Sequence, residues 1–305
     1  MNVDCKFIVL FLVCGLSGFC QQNPQYTQYM YNVMNINPAY AGQREVLSIF
    51  GLHRSQWVGI EGAPSTSTVA LHAPINDSKL GVGISFENDR IGPSSENKFT
   101  ANLSYTIDFS DYYKLSFGLN SSVTNVKVDY TKLDIYDPND ISYQNNVNKF
   151  SPNFGAGLYL HSDYTYVSVS VPGILETKHY SDNEAFSTAK QKMHLYLMGG
   201  HVFEVNPLLL FKPSLLVKLV QGTSAQVDLS ANFLLNEKFT AGISYRFSST
   251  FSGMAGFQVT DGLFVGYAYD REISKISNFN SGSHELFLRF EVFEYFDRIV
   301  SPRFF

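Results

Sequence analysis

From residue 45 onward, apolar and polar positions alternate with a period of two. The stretch 99–109 shows this best. Phe99, Ala101, Leu103, Tyr105, Ile107 and Phe109 fall on one side, and Thr100, Asn102, Ser104, Thr106 and Asp108 on the other. A strand turns successive side chains to opposite faces, so this spacing predicts strands with one apolar and one polar face. Residues 225–235 and 239–247 repeat the pattern. Read throughout, it predicts strands near 45–54, 65–73, 79–87, 97–109, 112–128, 152–161, 164–171, 191–204, 208–220, 223–235, 238–248, 251–260, 262–271 and 283–293. That is about fourteen, an even number, as in single-chain outer-membrane barrels.

The connections differ in length on the two sides. Ser110-Asp111, Ser162-Asp163, Asn206-Pro207, Asn236-Glu237 and Asp261-Gly262 mark short turns. Between them fall loops at 55–64, 88–96, 129–151, 172–190 and 272–282. Short periplasmic turns and long outer loops are the asymmetry of an outer-membrane barrel, with the N-terminus on the periplasmic side. A secreted β-sandwich also alternates. Here, however, the polar faces are rich in Gly, Ser, Thr and Asn and poor in Lys and Glu, which suits a crowded lumen better than an exposed surface. Tyrosines near strand ends (Tyr105, Tyr112, Tyr113, Tyr130, Tyr164, Tyr245, Tyr267, Tyr269) suit interfacial girdles next to outer-membrane lipid. The fold expected is an all-β transmembrane antiparallel up-and-down barrel spanning 45–293, with a tail at 294–305.

The chain start has a different pattern. Lys6 precedes the apolar run Phe7 to Leu16, followed by Ser17, Gly18 and Cys20. This reads as a signal peptide over 1–20, cut after Cys20, and the run is too short for a transmembrane helix. A lipoprotein signal wants a small residue before the cysteine, where Val13 and Phe19 stand. Cys5, Cys14 and Cys20 all leave with such a signal, so the mature chain has no disulfide or cysteine metal site.

Between signal and barrel lies 21–44, containing QQNPQYTQYMYNVMNINPAYAG. It is too polar to span a membrane and too aromatic for a plain linker, which makes it a periplasmic docking segment or a plug. Tyrosine-rich, weakly charged segments bind through large rigid area. Tyr26, Tyr29, Tyr31, Asn37, Pro38 and Tyr40 are therefore candidate partner-binding residues. Arg54, Gln56 and Trp57 join them at the start of the first long loop, since Arg and Trp favour binding anchors. His284 and Glu285 open the last strand, where they could cap a cargo site or hydrogen-bond across the lumen.

Composition narrows the chemistry. The net charge is −5 and charged residues make up 16% of the 305, with no basic cluster, so nothing indicates a nucleic-acid partner. The histidines are scattered, without HExxH or GxSxG, and no enzyme or cofactor is expected. Asp129, Asp134, Asp137 and Asp140 cluster in the loop 129–151, where carboxylates at close spacing could hold Ca²⁺, although EF-hand order is lacking. Gly81-Val82-Gly83 and Gly155-Ala156-Gly157 lie in strands, where glycine marks bends and close approaches. The polar inner face also admits a diffusion channel for small solutes, although no strand carries the ladder of charges a selective pore often uses.

Several stretches together resemble one family. They are QQNPQYTQYMYNVMNINPAYAG, HRSQWVGIEGAPSTSTVALHAP (53–74), YAYDREISKISNFNSGSHELFLRF (267–290) and the closing SPRFF. The chain is similar to PorP/SprF outer-membrane proteins of the type IX secretion and gliding machinery of Bacteroidetes. The family often has Cys before its terminal Pro-Arg-Phe, where this chain has Ser301. The resemblance implies a barrel that works with other secretion and gliding components. It also implies help in exporting or anchoring a secreted adhesin with a C-terminal sorting domain.

Overall fold

The computed structural model describes residues 24–75, 79–133, 146–176 and 192–293. The predicted signal peptide and the tail 294–305 lie outside them. The alternating segments form β1 (Leu47–Ser55), β2 (Ser65–Pro74), β3 (Leu80–Ile91), β4 (Ser94–Asp108), β5 (Lys114–Val128), β6 (Val147–His161), β7 (Thr165–Val171) and β8 (His194–His201). They continue as β9 (Phe203–Asn206), β10 (Leu209–Val220), β11 (Gln226–Leu235), β12 (Phe239–Arg246), β13 (Thr250–Gln258), β14 (Leu263–Glu272) and β15 (Ser283–Val292).

Each strand of the ring pairs antiparallel with the next, β8 passing directly to β10, and β15 pairs back onto β1 from Leu47↔Val292 to Ser55↔His284. The ring therefore closes with fourteen strands and no free edge, which rules out a sandwich. The short β9 is an additional piece. The β8–β10 ladder ends at Gly200↔Ser214, and β9 resumes along β10 at Phe203↔Phe211.

Burial shows which way the wall faces. Along β4, Thr100, Asn102 and Ser104 are buried, whereas Phe99, Leu103 and Tyr105 are exposed. The polar face thus lines the inside and the apolar face looks outward, as lipid requires. No helix among the described residues is long and apolar enough to cross a membrane, so only strands could cross.

One mouth carries the short turns. The other carries the connections after β1, β3, β5, β7, β10, β12 and β14. The expected loop at 88–96 is corrected here. β3 and β4 run on to Ile91 and Ser94 and are joined by Gly92-Pro93, with Gly92 at φ 52°. Hydrogen-bonded ladders continue above the apolar belt, where lipid no longer enforces alternation, so the pattern stops before the strands do. For the same reason β6 begins at Val147.

Candidate functional site: a segment threaded through the barrel

Residues 24–46 lie inside the barrel. Short-range chemistry compacts them into a 3-10 turn (Tyr29–Tyr31), a single turn α1 (Val33–Ile36) and a second 3-10 turn (Pro38–Tyr40). Asn37 sets the last of these, because its Oδ1 accepts from Ala39 N at 2.9 Å and Pro38 supplies a helical φ at the first position. The segment then descends from one mouth to the other. Gln25 Nε2 donates to Gln226 Oε1 at the long-loop mouth, while Glu45 pairs with Lys114 at the short-turn mouth. The expectation put the mature N-terminus, which lies outside the described residues, on the side of the short turns. The segment's last residues are there, and its first described residues are at the opposite mouth.

The upper half is held by charge. Arg54 is fully buried and pairs with Asp270 at 2.7 Å and Glu285 at 3.1 Å. Glu285 also accepts from the backbone N–H groups of Thr27 (3.0 Å) and Gln28 (2.8 Å). Thr27 Oγ1 donates to Asp270 at 2.6 Å and accepts from Arg54 Nη1 at 3.0 Å. One guanidinium facing two carboxylates would leave an excess negative charge, and the segment's own donors offset it. Tyr26 donates to Glu87 and meets Thr68 Oγ1 at 2.9 Å, while Tyr29 reaches Ser230 at 3.3 Å. Tyr31 packs against Phe264 and Phe287 with Arg289 over its ring. Burial pushes the phenols of Tyr26, Tyr29 and Tyr31 above their usual 10.0.

The lower half is held by close approach. A Cβ at Gly118 would lie 2.0 Å from Ala39 N, one at Gly157 2.0 Å from Asn37 Oδ1, and one at Gly81 2.2 Å from Ala41 O. Gly81 and Gly118 let the segment's backbone, and Gly157 the Asn37 side chain, rest against the wall, where any side chain on the strand would collide. Asn37 Nδ2 donates to Leu158 O at 2.8 Å and Ser168 Oγ at 2.7 Å. Ser170 and Ser104 donate to the carbonyls of Ile36 (2.8 Å) and Ala41 (2.7 Å). Gly42 N donates to His72 Nδ1 at 3.2 Å, and Tyr40 sets its ring edge against His72 and Tyr159. Arg44 pairs with Glu291.

Most of the candidate residues therefore meet in one place, turned toward the lumen. Tyr26, Tyr29, Asn37, Pro38, Tyr40, Arg54 and Glu285 are buried, and in this arrangement they hold the segment. Gln56 and Trp57 are separate from them. Gln56 N donates to Pro64 O at 2.9 Å, closing the first long loop, and Trp57 donates through Nε1 to Glu272 at 3.3 Å and through its backbone to Ser283 at 3.1 Å. His284 and Glu285 do not form a pair. Adjacent on a strand, they point to opposite faces, and His284 meets Tyr267 OH at 2.6 Å on the outer wall. The idea of both bonding across the lumen is corrected for His284. Asp134, Asp137 and Asp140 lie outside the described residues. Asp129 accepts from Thr131 N and Oγ1 and from Asn146, and these hydrogen bonds, Thr131 Oγ1 foremost, hold its carboxyl below the usual range.

The sequence reading passed over Thr27, Gln28, Asp270, Gly118 and Arg44. Asp270 and Glu291 share their strands' inward parity, so charge on the polar face was an available signal. Gly118 had one too, because it sits on the same face as Ser116 and Asn120.

Comparison with known proteins fits the architecture. The toluene transporter TbuX of Ralstonia pickettii aligns at TM-score 0.50 and 9% identity, covering 85% of this chain and 92% of that one. The CymD monoaromatic hydrocarbon channel aligns at TM-score 0.53 and 13% identity, covering 89% and 94%. The toluene transporter TodX of Pseudomonas putida gives 0.50 and 10%, covering 85% and 93%. At such identities the likeness concerns the fold alone. No curated protein matches the sequence. The family described as type IX secretion system membrane protein PorP/SprF matches residues 18–290.

Proposed function

Because the chain belongs to the PorP/SprF family of type IX secretion system membrane proteins, we propose that it is a plugged outer-membrane scaffold of that secretion and gliding apparatus. In this reading it binds other secretion components and helps export or anchor adhesin cargo bearing a C-terminal sorting domain. The observation that carries the reading is the segment 24–46 fixed along the lumen by buried ion pairs and a glycine track. A diffusion channel needs an open lumen, whereas here hydrogen bonds and packing occupy it from mouth to mouth.

With the long loops outside the cell, the short-turn mouth around Arg44 and Glu45 faces periplasmic partners. The long-loop mouth then faces cargo. There the first loop docks on the last, with Val58 N donating to Gly282 O at 2.9 Å and Ser281 N to Val58 O at 2.8 Å. Val58 and Phe279 stand exposed on this paired rim beside Trp57, a surface that suits a protein partner. The buried tyrosines then support partner binding indirectly, by keeping the lumen closed and the rim in shape.

The test is deletion of residues 21–40. The barrel is expected to insert, to conduct ions in planar bilayers where the intact protein is silent, and to lose co-purifying secretion components or adhesin display. Normal display by the deletion would sink the proposal. Steady large conductance of the intact protein would favour the channel.

A further inference from the structure

The long-loop mouth holds a cavity of about 50 Å³ between the threaded segment and the wall. Its lining includes Asn35, Tyr29, Lys98, Lys218, Tyr196 and Leu216. Lys218 points inward from β10, is only 5% exposed, and its ammonium has no hydrogen-bond partner among the described residues. Asn35, on α1, has both its Oδ1 and its Nδ2 buried and unpartnered there as well. The two carboxylates of the cavity are already engaged. Asp228 takes Arg246 in a bidentate pair at 2.8–3.0 Å, and Glu87 accepts from Tyr26. Lining cations (Lys98, Lys218, Arg246) outnumber lining carboxylates (Glu87, Asp228) by one.

A buried ammonium without a partner is costly, and such groups are normally paired. The missing partner is an anion, and a carboxylate fits best because it accepts from Lys218 without needing further basic groups. Asn35 adds one acceptor and an amide donor, the complement of a peptide group. Tyr29, Tyr196 and Leu216 give an apolar wall for a side chain. We propose that this cavity binds a carboxylate carried next to an amide, the chemistry of a peptide C-terminus or an N-acylated amino acid. The inference stands on the cavity alone and does not depend on the secretion role.

The test is isothermal titration of the detergent-solubilised mature protein with N-acetyl-leucine, N-acetyl-leucinamide and acetate. The free acid is expected to bind at least about tenfold more tightly than the amide, since a hydrogen bond to a charged group contributes that much. Lys218→Met removes this preference, and because it deletes an unpaired charge it leaves heat-modifiable migration on gels intact. Asn35→Leu weakens N-acetyl-leucine toward the affinity of acetate, which itself is unchanged. Equal binding of acid and amide, no detectable binding of the acid, an unaltered preference in Lys218→Met, or acetate binding as tightly as N-acetyl-leucine would each overturn the assignment. A tetrapeptide ending in leucine separates the two ligand sources. Binding tighter than N-acetyl-leucine assigns a polypeptide end, and weaker binding assigns a small acid, both within the proposed chemistry.

Discussion

The two halves of the threaded segment are held in the same lumen by different physics. Residues 24–31 meet Arg54, Asp270, Glu285 and Glu87, so their grip is ionic and directional. Residues 36–43 rest on Gly81, Gly118 and Gly157, so their grip is steric and depends on absent side chains. The upper half is therefore sensitive to charge and repairable by charge. The lower half is sensitive to volume.

Removing Arg54 tests the upper half most severely. Arg54→Ala leaves Asp270 and Glu285 buried without their cation, a loss on the order of 3–5 kcal/mol. Limited proteolysis within residues 24–31 should become fast. Adding Asp270→Asn and Glu285→Gln should recover part of the protection, and no recovery would mean that the cluster is not held by charge.

The lower half fails differently. Gly118→Val places a branched side chain where a Cβ alone would lie 2.0 Å from Ala39 N, at a cost of about 3 kcal/mol, the upper end for overpacking. Proteolysis should now open residues 36–43 first. Neutralising the Arg54 cluster should not restore protection. Opening of both halves together would show that the segment moves as one unit.

A milder cut is Asn37→Ala, which removes a turn cap and two donors to the wall. About 1–2 kcal/mol is expected, read as a lower midpoint in thermal release of the segment.

The smallest effect comes from pH. Folded Tyr26, Tyr29 and Tyr31 ionise above their ordinary 10.0, because burial disfavours the phenolate. A group with a raised folded pKa contributes stability that is complete below the unfolded value and is lost as pH rises past it. The upper half should loosen first above pH 10, measured by hydrogen exchange alongside tyrosinate absorbance. Earlier loosening of residues 36–43 would contradict the division.

Much of this architecture is legible in local pattern. The alternation over 99–109 marks β4 and, with a polar face charged only at Asp108, also says which side faces in. Where the pattern loses its apolar partner, as at Glu87–Glu96, the ladder continues unseen. The site was partly legible. Asn37 and Pro38 announce a capped turn, and the glycine pairs at 81–83 and 155–157 announce close approach. What approaches them is not written nearby, because the whole of β1 to β4 lies between Ala39 and Gly118 in the chain. The adjacent letters His284 and Glu285 look like a pair and are split by the strand's parity.

Local pattern alone carries the β-barrel, its strand number and the aromatic segment ahead of it, because period-two alternation, turns and caps are short-range properties. The closed sheet alone set this segment's course from the long-loop mouth to the short-turn mouth. It also decided that Arg54 faces Thr27 and that Gly118 admits Ala39. Those contacts exist only once the sheet closes, since ring closure brings distant strands around one lumen, and no local pattern encodes what the lumen will hold.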